Sequence, residues 1–246
     1  MDNIARVLEQ RFTAQLHDIH KRLAALSHAD SYAVTSELIT EEEYVELQQL
    51  YNSGESQDIQ DTKFAPYLDL LSGAENIVAL GCGDGKLIEY CEKKNIKVIG
   101  VERNLSQKAS YKGKGVIIET DALSFLKNAG QGTFDRLIVR HLIGRIPFNE
   151  LRHFFDLTYL ALQSNGQLII EYPNPRSIET LLTYYFVDPI HRRPIAPELL
   201  SFLLVKAGFD SGKVKFDEIN FHKQPVSALG KLDKNTGGDL MVVCQK

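Results

Sequence analysis

A glycine-rich stretch, ALGCGDGK at residues 79–86, has the composition of a loop that approaches a nucleotide closely. Its glycines stand at every second position after an apolar run, so the backbone can pass near a ligand without side-chain interference. The dinucleotide fingerprint G-x-G-x-x-G would need a glycine where Lys86 stands. The carboxylate of Asp84 would repel a diphosphate, whereas it suits a ligand with an amino group and a positive centre. The stretch therefore indicates a nucleoside with a cationic tail.

Two acidic residues follow the next two apolar runs at the spacing that a nucleoside site needs. Glu102 ends the run KVIGVE, about 20 residues after Gly81, and an acid there typically accepts hydrogen bonds from both ribose hydroxyls. Asp121 lies in ETDAL, after the run GVIIET, where it could meet an adenine edge. Two plainer interpretations stay open: Asp121 caps the helix that follows it, and Glu102 is a solvated turn residue.

The segments that must position these residues alternate between strand and helix patterns from about residue 60 onward. The strand patterns are apolar on both faces, which is typical of a mostly parallel sheet covered by helices on each side. A helix is predicted to begin at Pro197 and to end at Gly208. The predicted strands are residues 76–80, 97–102, 115–120, 134–140 and 166–172, followed by two closing strands in GKVKFDEIN and DLMVVCQK.

The first 60 residues differ from the rest and predict a helical N-terminal appendage, so we place the domains at 1–60 and 61–246. Apolar residues spaced 4 and 3 apart indicate an amphipathic helix that either lies on its own domain or joins copies of the chain into a homo-oligomer. Both interpretations stay open. Further on, TEEEYVELQQLY predicts a short helix capped by Thr40, with Glu43 as its capping-box partner. The apolar series of the first helix is Phe12, Leu16, Ile19, Leu23 and Leu26.

Charge and cysteine content exclude several classes of protein. The net charge of −4 argues against a general nucleic-acid surface, which needs a basic footprint. No apolar run approaches the roughly 20 residues of a membrane span, and the N-terminus lacks the apolar core of a signal peptide. The three cysteines have neither metal-ligand nor disulfide-framework spacing, so we expect a reducing cytoplasm. We also expect no metal site, because histidines and acids do not stand at ligand spacing on one element.

The motifs VALGCGDGKL, VIGVERN and ETDALSFL resemble those of class I S-adenosylmethionine-dependent methyltransferases over about residues 64–246. The resemblance implies a Rossmann-like, doubly wound α/β fold whose seven-stranded sheet has an antiparallel last strand, and S-adenosylmethionine as cofactor. It implies that the glycines pass under the methionine moiety, with Asp84 near its amino group, Glu102 on the ribose and Asp121 on the adenine. The implied cofactor-binding residues are Gly81, Cys82, Gly83, Asp84, Glu102, Arg103, Asp121, Ala122 and His141.

The segment after the fifth strand, EYPNPRSIETLLTYYFVDPIHRRPIAPELLSFLLVKAGF, is rich in proline, and a long loop of this kind is usually functional. It resembles a subgroup of bacterial methyltransferases linked to cell-surface polysaccharides of the O-antigen type. The resemblance implies a sugar hydroxyl or a sugar phosphate of a glycan precursor as acceptor, at the cytoplasmic membrane face. The residues that fit the subgroup are Asn174, Pro175, Tyr185, Phe186, Asp188, Pro189, His191, Pro194, Pro197, Glu198 and Leu200.

Methyl transfer to a sugar hydroxyl needs in-line alignment and a base, and histidine titrates in the right range. We nominate His191, held by Asp188, as that base, with His141 as a secondary candidate. The acceptor would meet the aromatic and basic residues of the same segment, since arginines bind phosphate. The predicted substrate-binding residues are Tyr172, Asn174, Tyr185, Arg192 and Arg193.

Plainer interpretations of these residues stay open. His191 could pin the proline-rich loop, the two arginines could form solvated or inter-subunit salt bridges, and the aromatics could be core residues. This sequence also departs from the subgroup after the fourth strand. The subgroup has the pattern H-x-x-E-H there, whereas residues His141 to Arg145 lack both the acid and the second histidine. Two other functions therefore stay open, a methyltransferase of another small metabolite and a non-catalytic assembly partner with this fold.

Overall fold

The structure of the 246-residue chain is a computed structural model. It describes residues 39–52, 57–181, 185, 188–219 and 238–246. The predicted amphipathic helix between Phe12 and Leu26 lies outside the described residues, so both of its interpretations stay predictions.

The described residues form a seven-stranded sheet in the order β3-β2-β1-β4-β5-β7-β6. The first five strands pair in parallel, whereas β7 runs antiparallel between β5 and β6. The predicted doubly wound α/β sheet with an antiparallel last strand is therefore confirmed. The strands are β1 Ile77–Leu80, β2 Ile99–Glu102, β3 Ile117–Glu119, β4 Phe134–Arg140, β5 Leu162–Pro173, β6 Lys215–Ile219 and β7 Asp239–Gln245.

Helices connect the strands in the alternation that the sequence predicts. The last long helix begins at Pro197 and ends before Gly208, whose φ of +116° favours glycine, as expected from the sequence. The helices in the described part of the chain are α1 Glu41–Asn52, α2 Gln57–Leu71, α3 Lys86–Lys93, α4 Leu105–Ala109, α5 Ala122–Asn128, α6 Phe148–Ala161, α7 Ile178–Thr180 and α8 Pro197–Ala207.

The two helices that precede the sheet differ in whether local sequence signals predict them. The capping box of α1 is confirmed, because Thr40 N–H donates to Glu43 Oε2 at 2.7 Å and Glu43 N–H donates to Thr40 Oγ1 at 3.2 Å. Helix α2 was not predicted, since its interior contains Pro66, which removes one backbone donor and argues against a helix. It runs through residue 60, where we placed the domain boundary; the division into domains stays a prediction.

The central strands place the chemistry at one edge of the sheet. All four residues of β1 are buried, and so are Leu137, Ile138 and Val139 of β4, as expected for parallel strands covered on both faces. The carboxyl ends of β1, β2, β4 and β5 meet at the same edge, where ligands bind in open α/β sheets. Within the described ranges, no helix combines the length and apolar character needed to cross a membrane.

Candidate active site

The glycine-rich loop turns the chain sharply between β1 and α3. Gly81, Gly83 and Gly85 have φ angles of +64°, +60° and +75°, a region that other residues adopt only at a cost. Gly81 N–H and Cys82 N–H both donate to the carbonyl of Val101 on β2, at 2.8 and 3.1 Å, which fixes the loop against the sheet. The loop therefore presents its backbone at the N-terminus of α3, as the sequence predicts.

Two of these glycines lie where a side chain would meet a neighbour. A Cβ atom on Gly81 would lie 3.1 Å from Leu142 Cδ1, and one on Gly83 would lie 3.0 Å from Gln107 Oε1. A larger residue at either position would force Leu142 or Gln107 to shift, so the loop packs closely against its own neighbours. Contact of this loop with a ligand stays a prediction.

Glu102 ends β2 and reaches back to the glycine loop. Its Oε2 atom accepts a hydrogen bond from Gly83 N–H, and its Oε1 atom accepts one from Asn104 N–H, both at 2.8 Å. Only 7% of the residue is exposed, which excludes the interpretation of a solvated turn residue. Each carboxylate oxygen can accept a further hydrogen bond, so the side chain fits a ribose diol.

The neighbouring candidates Asp84, Arg103 and Cys82 make contacts beside the glycine loop and Glu102. Asp84 pairs with Lys86 at 3.0 Å, and Arg103 pairs with Glu41 of α1 at 3.6 Å; these side chains are about one third exposed. Burial, reinforced by the nearby Glu102 carboxylate, raises the pKa of the Cys82 thiol to about 12. Cys82 is therefore a neutral thiol and not a nucleophile.

Asp121 caps α5, as one of its two interpretations proposed. Its Oδ1 atom accepts a hydrogen bond of 2.9 Å from Ser124 N–H, and Ala122 behind it is buried. The cap uses one oxygen and leaves acceptor capacity on the other. Contact of Asp121 and Ala122 with an adenine therefore stays a prediction.

The second group of candidates forms a buried carboxylate–imidazole pair. Asp188 Oδ2 lies 2.8 Å from His191 Nδ1, and both residues are less than 10% exposed. Asp188 Oδ2 also accepts hydrogen bonds from the Tyr44 hydroxyl at 3.0 Å and from Arg145 at 3.2 Å. The structure thus brings together the acid and the base that the sequence paired, and it adds two donors that the sequence did not suggest.

The electrostatics of this pair keep the imidazole neutral. Burial lowers the pKa of His191, and the Arg145 cation lowers it further. The Asp188 carboxylate raises this pKa but does not offset the two other effects. Burial alone would raise the pKa of Asp188, but His191 and Arg145 hold it well below its usual range. A neutral histidine whose Nδ1 faces a carboxylate keeps its other nitrogen basic.

The pair packs against the loop that follows β4. A Cβ atom on Gly144 would lie 2.7 Å from His191 Cδ2, and Arg192 N–H donates to the Gly144 carbonyl at 2.9 Å. The ring of Tyr185 meets that of His191 edge to face, with centroids 5.4 Å apart. The loop after β5 is therefore fastened to the loop after β4, next to the end of the sheet that carries the glycine turn.

A buried network of charges lies beside these loops. Arg140 donates two hydrogen bonds to Glu171, at 2.6 and 3.0 Å, and the Tyr67 hydroxyl donates to the same carboxylate. His141 Nε2 lies 3.2 Å from Glu171 Oε1 and 3.4 Å from Asp239 Oδ2. Burial disfavours a charged His141, yet the two carboxylates more than offset this and raise its pKa. A raised pKa favours the protonated imidazole over the free base. The assignment of His141 as a secondary base candidate stays a prediction.

Ligand spacing along single elements does not reveal this network. His141, Glu171 and Asp239 come from the ends of three different strands, and their donor atoms all lie within 4.8 Å of one another. Such a cluster could hold a cation. Arg140 donates to the same Glu171 carboxylate, so a guanidinium already supplies positive charge beside the cluster.

The remaining substrate candidates are spread over different surroundings. Tyr172 is buried on β5 at 1% exposure, and Asn174 is a buried turn residue whose Oδ1 accepts the Arg176 N–H at 3.0 Å. Arg192 and Arg193 are exposed, and the Arg193 guanidinium stacks 3.4 Å from the centre of the Phe148 ring. Their contact with an acceptor stays a prediction.

Comparisons with solved structures agree with the fold. The chain is similar to a SAM-dependent methyltransferase from Archaeoglobus fulgidus, with a TM-score of 0.71 and 24% identity over 82% of this chain and 100% of that chain. The chain is also similar to a SAM-dependent methyltransferase from Thermotoga maritima, with a TM-score of 0.62 and 18% identity over 83% of this chain and 97% of that chain. The plantazolicin methyltransferase BamL, solved with SAH, is similar with a TM-score of 0.62 and 14% identity over 82% of this chain and 90% of that chain. No curated protein matches the chain significantly.

The family assignment comes from the sequence as well as from the fold. A family model described as a methyltransferase domain matches residues 12–211, which is most of the chain. The glycine turn and Glu102 fit the cofactor of that family, because they offer close backbone approach and a carboxylate for a ribose diol. The chain therefore belongs to the methyltransferase domain family, and it is an S-adenosylmethionine-dependent methyltransferase.

Proposed function

We propose that the enzyme methylates a sugar hydroxyl of a cell-surface glycan precursor, with His191 as the general base and Asp188 as the group that orients it. The observation that carries the proposal is the 2.8 Å contact between Asp188 Oδ2 and His191 Nδ1. Hydroxyl groups are weak nucleophiles at neutral pH, so their methylation benefits from a base that is neutral before the reaction.

The cofactor site supplies the other half of the reaction. When bound, S-adenosylmethionine supplies an electrophilic methyl group on a sulfonium. The backbone at Gly81 and Gly83 would lie against its methionine moiety, Asp84 near its amino group, and Glu102 on its ribose. Holding both reactants in line lowers the barrier by removing the entropy cost of bringing them together.

His191 would receive the hydroxyl proton on Nε2. With Nδ1–H directed at Asp188, the imidazolium that forms faces a carboxylate and is stabilised by it. General-base assistance of this kind contributes about 10²- to 10⁴-fold to a rate. The imidazole is shielded from solvent in this structure, so the proposal requires the surrounding loop to move when an acceptor enters.

The proposal of a glycan acceptor depends on the loop that carries His191. Its residues fit the pattern of the polysaccharide-linked subgroup, and Arg192 and Arg193 beside His191 are exposed, where a sugar phosphate could meet them. We place this reaction in the cytoplasm, with the enzyme associating peripherally with a glycan-assembly complex at the membrane face. Another small metabolite as acceptor is the second candidate, and an acceptor screen separates the two.

The test combines that screen with a base variant. Wild-type enzyme is incubated with S-adenosylmethionine and either glycan fragments or small-metabolite alcohols, and methylated products are identified by mass spectrometry. The proposal expects glycan products and a turnover that falls at least 100-fold in His191→Gln. His153→Gln, an exchange of an exposed histidine on α6, is the matched control. Wild-type turnover by His191→Gln overturns the base assignment, and methylation of metabolites alone overturns the acceptor.

A further inference from the structure

Helix α1 lies between the cofactor loop and the catalytic pair. The helix begins at Glu41, next to its capping box, and its residue Tyr44 is buried, with 2% of its surface exposed. The Tyr44 hydroxyl donates a hydrogen bond of 3.0 Å to Asp188, which lies 144 positions further along the chain. At the start of the helix, Glu41 pairs with Arg103 in the loop after β2. The helix therefore contacts residues of both halves of the active site.

A continuous series of hydrogen bonds crosses this helix. Gln107 Nε2 donates to Gln48 Oε1 at 3.4 Å, Gln48 Nε2 donates to the Tyr44 oxygen at 2.5 Å, and Tyr44 donates to Asp188. Every donor in this series points toward Asp188. We call Gln107, Gln48 and Tyr44 the α1 hydrogen-bond chain.

The first member of the chain is placed to sense the cofactor. Gln107 Oε1 is the atom that a Cβ on Gly83 would meet at 3.0 Å, and Gln107 N–H is held by Asn104, whose own N–H donates to Glu102. The Gln107 side chain therefore lies beside Gly83 and is linked through Asn104 to Glu102, the two positions at which the cofactor is proposed to bind.

We propose that Tyr44 and Gln48 are positioning residues that couple occupation of the cofactor site to the Asp188–His191 pair. The proposal deepens the proposed function and rests on it for the catalytic role of His191. Its physical basis is the charge on Asp188: a hydroxyl that donates to this carboxylate withdraws negative charge from it and weakens its hold on a protonated imidazole.

The expected direction follows from the groups around the pair. Removing the Tyr44 hydroxyl leaves Arg145 as the neighbouring side-chain donor to Asp188 besides His191, so the carboxylate attracts the imidazolium more strongly and the pKa of His191 rises. The titratable or charged groups that face the pair are Tyr44 on α1, Arg145 and His141 in the loop after β4, and Tyr185 in the loop after β5.

The test is an NMR titration of the His191 imidazole in protein with isotope-labelled histidine. The signal is assigned with His191→Gln, and pKa values are measured with and without S-adenosylhomocysteine. We expect Tyr44→Phe to raise the pKa of His191 by about half a unit to one unit. We expect S-adenosylhomocysteine to shift this pKa in the wild type and Gln48→Leu to abolish most of that shift. Tyr159→Phe, on the far helix α6, is the matched control and should leave both values unchanged.

Three results overturn the proposal: an unchanged His191 pKa in Tyr44→Phe, no shift of this pKa by S-adenosylhomocysteine in the wild type, or a full cofactor-induced shift in Gln48→Leu. Gln48 is only half-buried, so its variant keeps the test available if Tyr44→Phe unfolds. The titration needs no acceptor and no turnover. A failure of the base assignment shows in the activity of His191→Gln, and a failure of the coupling shows in this titration, so the two are distinguishable.

Discussion

Glu102 Oε2 accepts a hydrogen bond of 2.8 Å from Gly83 N–H, so the acid at the end of β2 is joined to the turn at the end of β1. The two features that the sequence presents as separate motifs are therefore one structural unit. Its parts lie on adjacent parallel strands, which end at the same edge of the sheet. This contact fixes the glycine turn against the end of β2.

Replacing Glu102 with Gln should weaken cofactor binding. The amide cannot accept on both ends, so the charged hydrogen bonds to the ribose are lost, at about 1.5–3 kcal/mol. Isothermal titration calorimetry with S-adenosylhomocysteine measures the loss directly. Glu119→Gln on the neighbouring strand β3 removes an exposed carboxylate and serves as control. Equal affinities for Glu102→Gln and the wild type would place the ribose elsewhere.

Replacing Gly83 with Ala should separate backbone strain from ligand contact. Gly83 and Gly132 have nearly the same φ, +60° and +62°, but a Cβ would meet Gln107 at Gly83 and nothing within 4 Å at Gly132. Both variants should lose about 1–2 kcal/mol of stability from the left-handed backbone. Only Gly83→Ala should also lose affinity for S-adenosylhomocysteine. If Gly132→Ala loses as much affinity, the effect is global strain and the local explanation is wrong.

The buried carboxylate of Glu171 should be a stability residue. Glu171→Gln removes the buried carboxylate that pairs with the half-buried Arg140 guanidinium, and breaking such a pair typically costs about 3–5 kcal/mol of unfolding free energy. Urea denaturation measures this cost. Glu198→Gln removes an exposed partner of Arg176 and should leave the midpoint where it is. A Glu171→Gln protein as stable as the wild type would mean that the network contributes no stability.

The contribution of His141 to stability should depend on pH with a defined sign. Its pKa is raised in the folded protein, so the folded state holds the proton more tightly than the unfolded state. That stabilisation is complete below the unfolded pKa of about 6.5 and is lost as the pH rises through the folded value.

The difference in unfolding free energy between wild type and His141→Gln should accordingly be largest near pH ~5.5 and should shrink toward pH ~9. Denaturation midpoints across that range test it, with His153→Gln as the exposed control. A difference that stays constant or grows with pH contradicts the protonated state of His141.

Several parts of the fold were predictable because their signals are local. The capping box of Thr40 and Glu43, the Pro197 and Gly208 ends of α8, and the apolar runs of the parallel strands all depend on neighbouring residues. The position of Glu102 beside the glycine loop was predictable for a related reason, since the ends of parallel strands meet at one edge.

The rest depends on distant pairings that no local pattern encodes. The His141–Glu171–Asp239 cluster forms only because β4, β5 and β7 are adjacent, and Tyr44 reaches Asp188 only because α1 folds back over the sheet edge. Helix α2 was hidden by Pro66, whose local preference is overridden by the burial of Phe64 and Tyr67 on either side of it. The sequence thus predicted the contact between Asp188 and His191 but not the two further donors to Asp188, Tyr44 and Arg145.

The most direct test of the account is the rate of methyl transfer by Asp188→Asn. With cofactor bound and an acceptor in excess, the asparagine keeps the shape of the side chain but cannot stabilise an imidazolium at His191. The account predicts a rate about 10²- to 10⁴-fold below the wild type, at unchanged affinity for S-adenosylhomocysteine. A wild-type rate from this variant would contradict the assignment of Asp188 and His191 as the catalytic pair.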